Sequence, residues 1–84
     1  MDKSIEFTCW KEDDSIEVQL EPEASVFVVQ PGNLIKFDPI KPSDDFKWVL
    51  RVSHTDKSIQ LYPDGSNEGV RIYENNTLIE ELIY

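Results

Sequence analysis

The densest apolar run in the chain is Val26-Phe27-Val28-Val29, and Pro31-Gly32 follows it almost at once. Consecutive apolar residues, most of them β-branched and bounded by turn formers, are typical of a strand covered on both faces, because a buried helix is usually longer. Pro31 presets φ for the second position of a turn, and Gly32 supplies the positive φ that the third position needs. The run therefore predicts a central strand that turns into a neighbouring strand over 34–37.

Other segments alternate between apolar and polar residues, which is the period of a half-buried strand. They cover 4–10, 16–20, 46–52, 59–62 and 70–73, with turn formers between them and the longest predicted loop at 38–45. In the clearest segment, 46–52, one face is apolar throughout and is expected to lie in the core: it carries Phe46, Trp48, Leu50 and Val52.

The C-terminal segment 77–84 fits two structures. Asn75-Asn76 suits a two-residue hairpin turn, which predicts a last strand. Against this, Thr77 and Glu80 fit a helical capping box ahead of apolar residues at helical spacing. We favour the strand, because so short a helix is marginal.

Seven or eight short strands with regular turns predict a single all-β domain over residues 1–84, an antiparallel β-sandwich or a small barrel.

The chain is strongly acidic, with 17 Asp plus Glu against 8 Lys plus Arg and a net charge of -9. Such a charge is repelled by phosphate backbones and anionic lipids, so we expect no direct binding to nucleic acid or to a membrane. Segments 1–24 and 64–84 hold the excess acid, and they would form an acidic face if they lay side by side. No basic-then-apolar leader and no membrane-spanning apolar run is visible, which predicts a cytoplasmic protein.

Residues that could carry chemistry are few. The one cysteine, Cys9, falls on the apolar side of its segment, and the one histidine, His54, falls in a polar turn, so nothing predicts a nucleophile with its base. The turn 63–69 lacks the aspartate spacing of a calcium loop, and no Cys/His spacing suggests a metal. We therefore expect a protein that is not an enzyme and that uses no cofactor or metal.

The acidic surface and the aromatic residues favour a protein-interaction module that binds a basic protein surface, as an inhibitor, an immunity protein or a mimic of nucleic-acid charge. The alternative is a structural or assembly module, including a homo-oligomer that pairs through exposed sheet edges. For the first hypothesis, the predicted protein-binding residues are one tryptophan and the acids around it: Trp10, Glu12, Asp13, Asp14, Glu17, Glu21 and Glu23.

Overall fold

The structure is a computed structural model that describes residues 2–84. The chain forms eight strands, in order β1 (Ile5–Thr8), β2 (Ile16–Leu20), β3 (Ser25–Val29), β4 (Leu34–Ile40), β5 (Lys47–Ser53), β6 (Ser58–Asp64), β7 (Gly69–Glu74) and β8 (Thr77–Ile83). Sheet A has the order β1-β4-β7-β8, and sheet B has the order β3-β2-β6-β5. The predicted all-β sandwich is confirmed. Residues 2–84 contain no helix long and apolar enough to cross a membrane.

Neighbouring strands pair antiparallel, with one exception in sheet B. There β2 and β6 run parallel, with Val18 opposite Ile59 and Leu20 opposite Leu61. Parallel neighbours cannot be joined by a tight turn, and here the chain passes through β3, β4 and β5 before β6 reaches its place. As a result, the turn between β5 and β6 lies at the same end of the sandwich as the start of β2.

The core lies between the two sheets and is centred on Phe37 of β4. The Phe37 ring is fully buried and meets Phe27 of β3 at 5.4 Å and Phe7 of β1 at 5.9 Å between centroids, both edge to face. The Trp48 ring of β5 lies 6.5 Å from it between centroids. Edge-to-face aromatic pairs add stabilisation beyond the area that they bury. The remaining buried apolar residues come from both sheets: Cys9, Val18, Leu20, Val29, Ile35, Phe46, Leu61, Val70 and Ile72.

The predicted position of the apolar run is wrong, although its conformation is right. Residues 25–29 form β3 and Gly32 has a φ of 85°, as the predicted turn requires. However, β3 lies at the edge of sheet B, because β2 uses its other side to pair with β6. Phe27 and Val29 face the core, whereas Val26 and Val28 are 50% and 38% exposed on the outer face, where no further layer covers them.

The predicted loop 38–45 is also too long. Strand β4 continues through Pro39 to Ile40, with Pro39 buried opposite Val70 of β7. Strand β1 pairs with β4 only as far as Ile5 opposite Phe37, so residues 38–40 have a neighbour on one side alone. A proline without an N–H is tolerated where one side of a strand has no partner. The pattern of alternation therefore extends past the proline that was expected to end it.

At the C-terminus, the strand that we favoured is confirmed. Asn75 and Asn76 both have positive φ, 50° and 71°, as a tight hairpin turn requires. Thr77 then starts β8 opposite Glu74.

Strand β5 is only half covered by sheet A. Leu50 and Val52 lie on the inward face, opposite Leu61 and Ile59 of β6, yet they are 41% and 55% exposed. The start of β5 is covered, because Trp48 Nε1 donates a hydrogen bond of 2.8 Å to the carbonyl of Lys3, just before β1. The far end of β1 leads through residues 9–15 to the start of β2, and the second half of β5 is left uncovered. The expectation that the whole apolar face of 46–52 is core is therefore wrong for Leu50 and Val52.

Candidate protein-binding site

The connection between β1 and β2, residues 9–15, is fixed at both of its ends; we call it the acidic loop. At its start, Cys9 N–H donates to the carbonyl of Asn33 at 3.0 Å, and Gly32 N–H donates to the carbonyl of Cys9 at 2.7 Å. Near its end, the buried Cys9 thiol donates to the carbonyl of Asp14, with 3.3 Å between sulfur and oxygen. The loop is thus attached to the turn between β3 and β4, and only its middle projects into solvent.

The projecting part of the acidic loop places an exposed tryptophan among acids. Asp13 N–H donates to the carbonyl of Trp10 at 3.0 Å, which closes a turn over these residues. Trp10 is 70% exposed, and Glu12, Asp13 and Asp14 are exposed beside it in the chain. Four of the predicted binding residues therefore share one short turn on a fixed attachment.

Only one acid of the loop is paired. Lys57 Nζ, in the turn between β5 and β6, lies 3.3 Å from the Asp14 carboxylate. Among residues 2–84, Glu12 and Asp13 take part in no ion pair. Lys11 also lies in this loop, so three acids against one lysine leave a formal charge of -2, and the unpaired carboxylates still attract an approaching basic group.

A cleft of about 250 Å³ lies next to the acidic loop, between the start of β2 and the turn after β5. The apolar side chains of Ile16 and Val52 line it, and Asp14, His54 and Lys57 contribute charged or titratable groups. Sequence reasoning missed this cleft, because its two sides lie far apart in the chain and meet only through the parallel pairing of β2 with β6. An apolar cleft with a polar border suits one apolar side chain of a partner.

The other predicted residues lie elsewhere. Glu17 is exposed on the outer face of sheet B, one residue into β2, and borders the loop. Glu21 and Glu23 follow β2, and that five-residue strand places them about 16 Å further along the sheet. The Glu21 carboxylate accepts hydrogen bonds from Gln19 Nε2 at 2.8 Å and Gln60 Nε2 at 3.1 Å. The predicted set is therefore divided between the two ends of the sandwich.

Glu23 lies near the C-terminal residue Tyr84. Partial burial and the neighbouring Glu23 carboxylate both raise the pKa of the Tyr84 hydroxyl. Glu21 and Glu23 thus have partners within the chain, unlike Glu12 and Asp13.

The strands of the acidic segments 1–24 and 64–84 do not pair with each other, although Glu23 lies near Tyr84. In sheet A, β4 with its Lys36 separates β1 from β7, and β2 belongs to the other sheet. Several acids of the second segment are also paired with cations of other strands or loops: Asp64 with Lys47 at 3.9 Å, Glu68 with Lys41 at 3.8 Å and Glu81 with Arg71 at 2.7 Å. The acidic loop is accordingly a separate negative surface.

The two residues considered for catalysis, Cys9 and His54, differ in their exposure to solvent. Cys9 is buried, and this burial, with the charges of Asp13 and Asp14, raises the pKa of its thiol. A thiol with a raised pKa stays protonated near neutral pH and is a poor nucleophile. His54 is exposed at the cleft. In the part of the chain that the structure describes, no three His, Cys, Asp or Glu side chains are grouped as metal ligands.

Comparisons with known proteins give no relative from which a function could be transferred. No protein-family model matches the chain, and neither the curated proteins nor the solved structures contain a significant match.

Proposed function

We propose that this protein is a non-enzymatic interaction module that binds a basic protein surface through the acidic loop and the cleft beside it. The observation that carries the proposal is Trp10, which is 70% exposed on a loop with a fixed attachment. In the same loop, Glu12 and Asp13 form no ion pair with another of residues 2–84. Exposed tryptophans are costly to leave in water and are frequent among residues that dominate binding energy.

Each part of the surface has a separate task in this proposal. Glu12 and Asp13 attract lysine or arginine side chains of the partner and accelerate encounter. Trp10 supplies apolar contact area with little loss of conformational entropy, since it has only two side-chain torsions. The Ile16–Val52 cleft accepts an apolar side chain next to those basic residues. A partner of this kind presents lysines or arginines around one apolar residue.

The charge of the whole chain supports the same partner class. A net charge of -9 repels phosphate and anionic lipid but attracts basic proteins, including those whose basic surface normally contacts nucleic acid. An inhibitor, an immunity protein or a nucleic-acid mimic would act in this way, and we place it in the cytoplasm.

The proposal is tested by capture from a lysate of the source cell with three forms of the protein. One is the wild type and one is the double variant Glu12→Lys, Asp13→Lys. The third, Asp44→Lys with Glu80→Lys, is a matched control, because it changes the net charge equally at exposed acids outside the acidic loop. Capture is run at about 0.05 M and about 0.5 M salt, since exposed charge pairs are screened at the higher concentration.

We expect a basic protein to be retained at low salt by the wild type and by the control, and to be lost with the loop variant. Loss with both variants would show that total charge, and not the loop, attracts the partner. Retention by the loop variant, or capture of acidic proteins alone, would contradict the proposal.

A further inference from the structure

Strand β5 has an open edge and an uncovered inward face. It is the last strand of sheet B, and Leu50 and Val52 point to the core side without sheet A above them. Val49, on its outer face, is exposed as well. A strand edge of this kind presents unpaired backbone groups beside apolar side chains, which is the arrangement that another strand can extend.

The other edge strands that the structure describes are protected. Strand β1 is four residues long and carries Glu6. Strand β8 carries Glu80 and Glu81 and has an irregularity in its pairing opposite Ile72 and Tyr73. In β3 the inward-facing Phe27 and Val29 are covered by sheet A, so that edge has no uncovered inward face. Short length, charge and bulges are features by which natural sheets avoid edge pairing. Strand β5 carries Lys47 and Arg51, but it is seven residues long, pairs with β6 without a bulge and leaves its inward-facing Leu50 and Val52 uncovered.

We propose that β5 pairs antiparallel with β5 of a second copy of this chain, about a two-fold axis at Leu50. This pairing aligns the whole strand and places Leu50 opposite its own counterpart and Val52 opposite Trp48 of the second copy. Each copy thereby supplies the apolar neighbours that Leu50 and Val52 lack. The result is one continuous sheet of eight strands with a self-complementary interface.

In this register no two like charges of β5 lie directly opposite each other, whereas the neighbouring registers bring like charges together. With the axis at Leu50, Lys47 lies opposite Ser53 and Arg51 lies opposite Val49. An axis at Val49 would place Lys47 opposite Arg51, and an axis at Arg51 would place that residue opposite itself, both of which are unfavourable like-charge pairs.

The basic side chains of β5 are also engaged away from its open edge. Arg51 Nη1 donates to Gln60 Oε1 at 2.8 Å, and Lys47 Nζ lies 3.9 Å from the Asp64 carboxylate. Both partners belong to β6, so the hydrogen bond of Arg51 and the exposed ion pair of Lys47 place the two cations on the side of β5 that faces β6.

Salt distinguishes this association from binding to a basic partner. Two copies that each carry a charge of -9 repel each other, and salt screens that repulsion. Self-association should therefore strengthen as salt rises, whereas binding of a basic partner should weaken. The inference does not rest on the proposed function, and either can fail alone. Both use Val52, which also lines the cleft, so a second copy and a basic partner would compete there.

Sedimentation equilibrium at up to about 1 mM protein tests the pairing, since weak interfaces have dissociation constants of that order. Val52→Lys introduces a charge on the uncovered face, and Val26→Lys is its control at a similarly exposed valine of another edge strand. We expect the wild type and Val26→Lys to dimerise more tightly at about 0.5 M than at about 0.05 M salt, and Val52→Lys to dimerise at least about tenfold more weakly.

A disulfide test fixes the register. Residues directly opposite in an antiparallel pair have Cα atoms about 4.5 to 5.5 Å apart, which a disulfide can bridge. Leu50→Cys should thus form a covalent dimer on mild oxidation, whereas Ser53→Cys, which lies opposite Lys47 in the proposed register, should not. The proposal is overturned if the wild type stays monomeric at both salt concentrations, if the two lysine variants behave alike, or if the two cysteine variants cross-link equally.

Discussion

The Lys57 ammonium group lies 3.3 Å from the Asp14 carboxylate and joins the turn between β5 and β6 to the acidic loop. Both side chains are mostly exposed, so their ion pair adds little to the free energy of unfolding. Its effect is on charge, because it neutralises one of the three acids of the loop. Lys57 thereby reduces the attraction that the loop exerts on a basic partner.

Replacement of Lys57 should raise the rate of partner binding and leave the free energy of unfolding almost unchanged. Lys57→Ala should change the free energy of unfolding by no more than about 0.5 kcal/mol, as expected for an exposed ion pair, and should raise the association rate with a basic partner. Urea unfolding and stopped-flow mixing measure the two effects. Lys41→Ala breaks the comparable pair with Glu68, outside the loop, and serves as the control. If both variants raise the rate equally, Lys57 has no specific effect on the loop.

Phe37 should carry a large share of the stability. Phe37→Ala removes the buried ring that contacts Phe7, Phe27 and Trp48, and it should lower the free energy of unfolding by about 3–5 kcal/mol. Trp10→Ala removes an exposed aromatic residue and should change it by about 0.5 kcal/mol or less, while it weakens partner binding. Urea unfolding of both variants checks this contrast, which similar losses would contradict.

Two glycines differ in what surrounds them. A Cβ at Gly69 would collide with the Leu82 carbonyl oxygen of the neighbouring strand, and φ there is 147°. A Cβ at Gly32 would approach only the flexible Lys11 side chain, at a φ of 85°. Gly69→Ala should therefore destabilise by about 3 kcal/mol or more and Gly32→Ala by about 1–2 kcal/mol. Equal losses in thermal unfolding would show that β7 and β8 can separate to admit the methyl group.

Alkaline pH should destabilise the fold through Cys9 and Tyr84. Burial raises the pKa of the Cys9 thiol, and partial burial with the Glu23 carboxylate raises the pKa of the Tyr84 hydroxyl. The folded chain holds these protons more tightly than the unfolded chain, so their stabilisation is complete below the unfolded pKa values, about 8.5 for cysteine and 10 for tyrosine. It is lost as the pH rises from these values through the higher pKa values of the folded protein.

Urea unfolding at about pH 7 and about pH 10 measures this loss, since the interval spans the unfolded pKa of cysteine. Cys9→Ala should show a smaller decrease between the two pH values than the wild type. An equal decrease in both proteins would contradict the contribution of the thiol.

The alternation of residues could predict which side chains share a face, but not whether another sheet covers that face. Phe46, Trp48, Leu50 and Val52 do share the inward face of β5, and local sequence is sufficient for this. Coverage depends on how the two sheets pack together, and that packing includes contacts between residues distant in sequence, such as Lys3 and Trp48. For the same reason, the position of β3 at an edge could not be derived from its own residues.

The candidate site, too, could be predicted where its residues are close in sequence, but not where distant strands bring them together. Trp10, Glu12, Asp13 and Asp14 are close in sequence, and one turn keeps them together. Glu21 and Glu23 are close in sequence to Glu17, but a strand is extended, so β2 carries them to the other end. The cleft combines Ile16 with Val52, and no local pattern indicates that β2 and β6 pair in parallel.

The association rate of the captured basic protein tests the central claim most directly. It is measured by stopped-flow for the wild type and for the Glu12→Lys, Asp13→Lys variant, at about 0.05 M and about 0.5 M salt. We predict that the variant associates at least about tenfold more slowly at low salt and that the difference largely disappears at high salt. Equal rates for the two proteins at low salt would show that the acidic loop is not the contact.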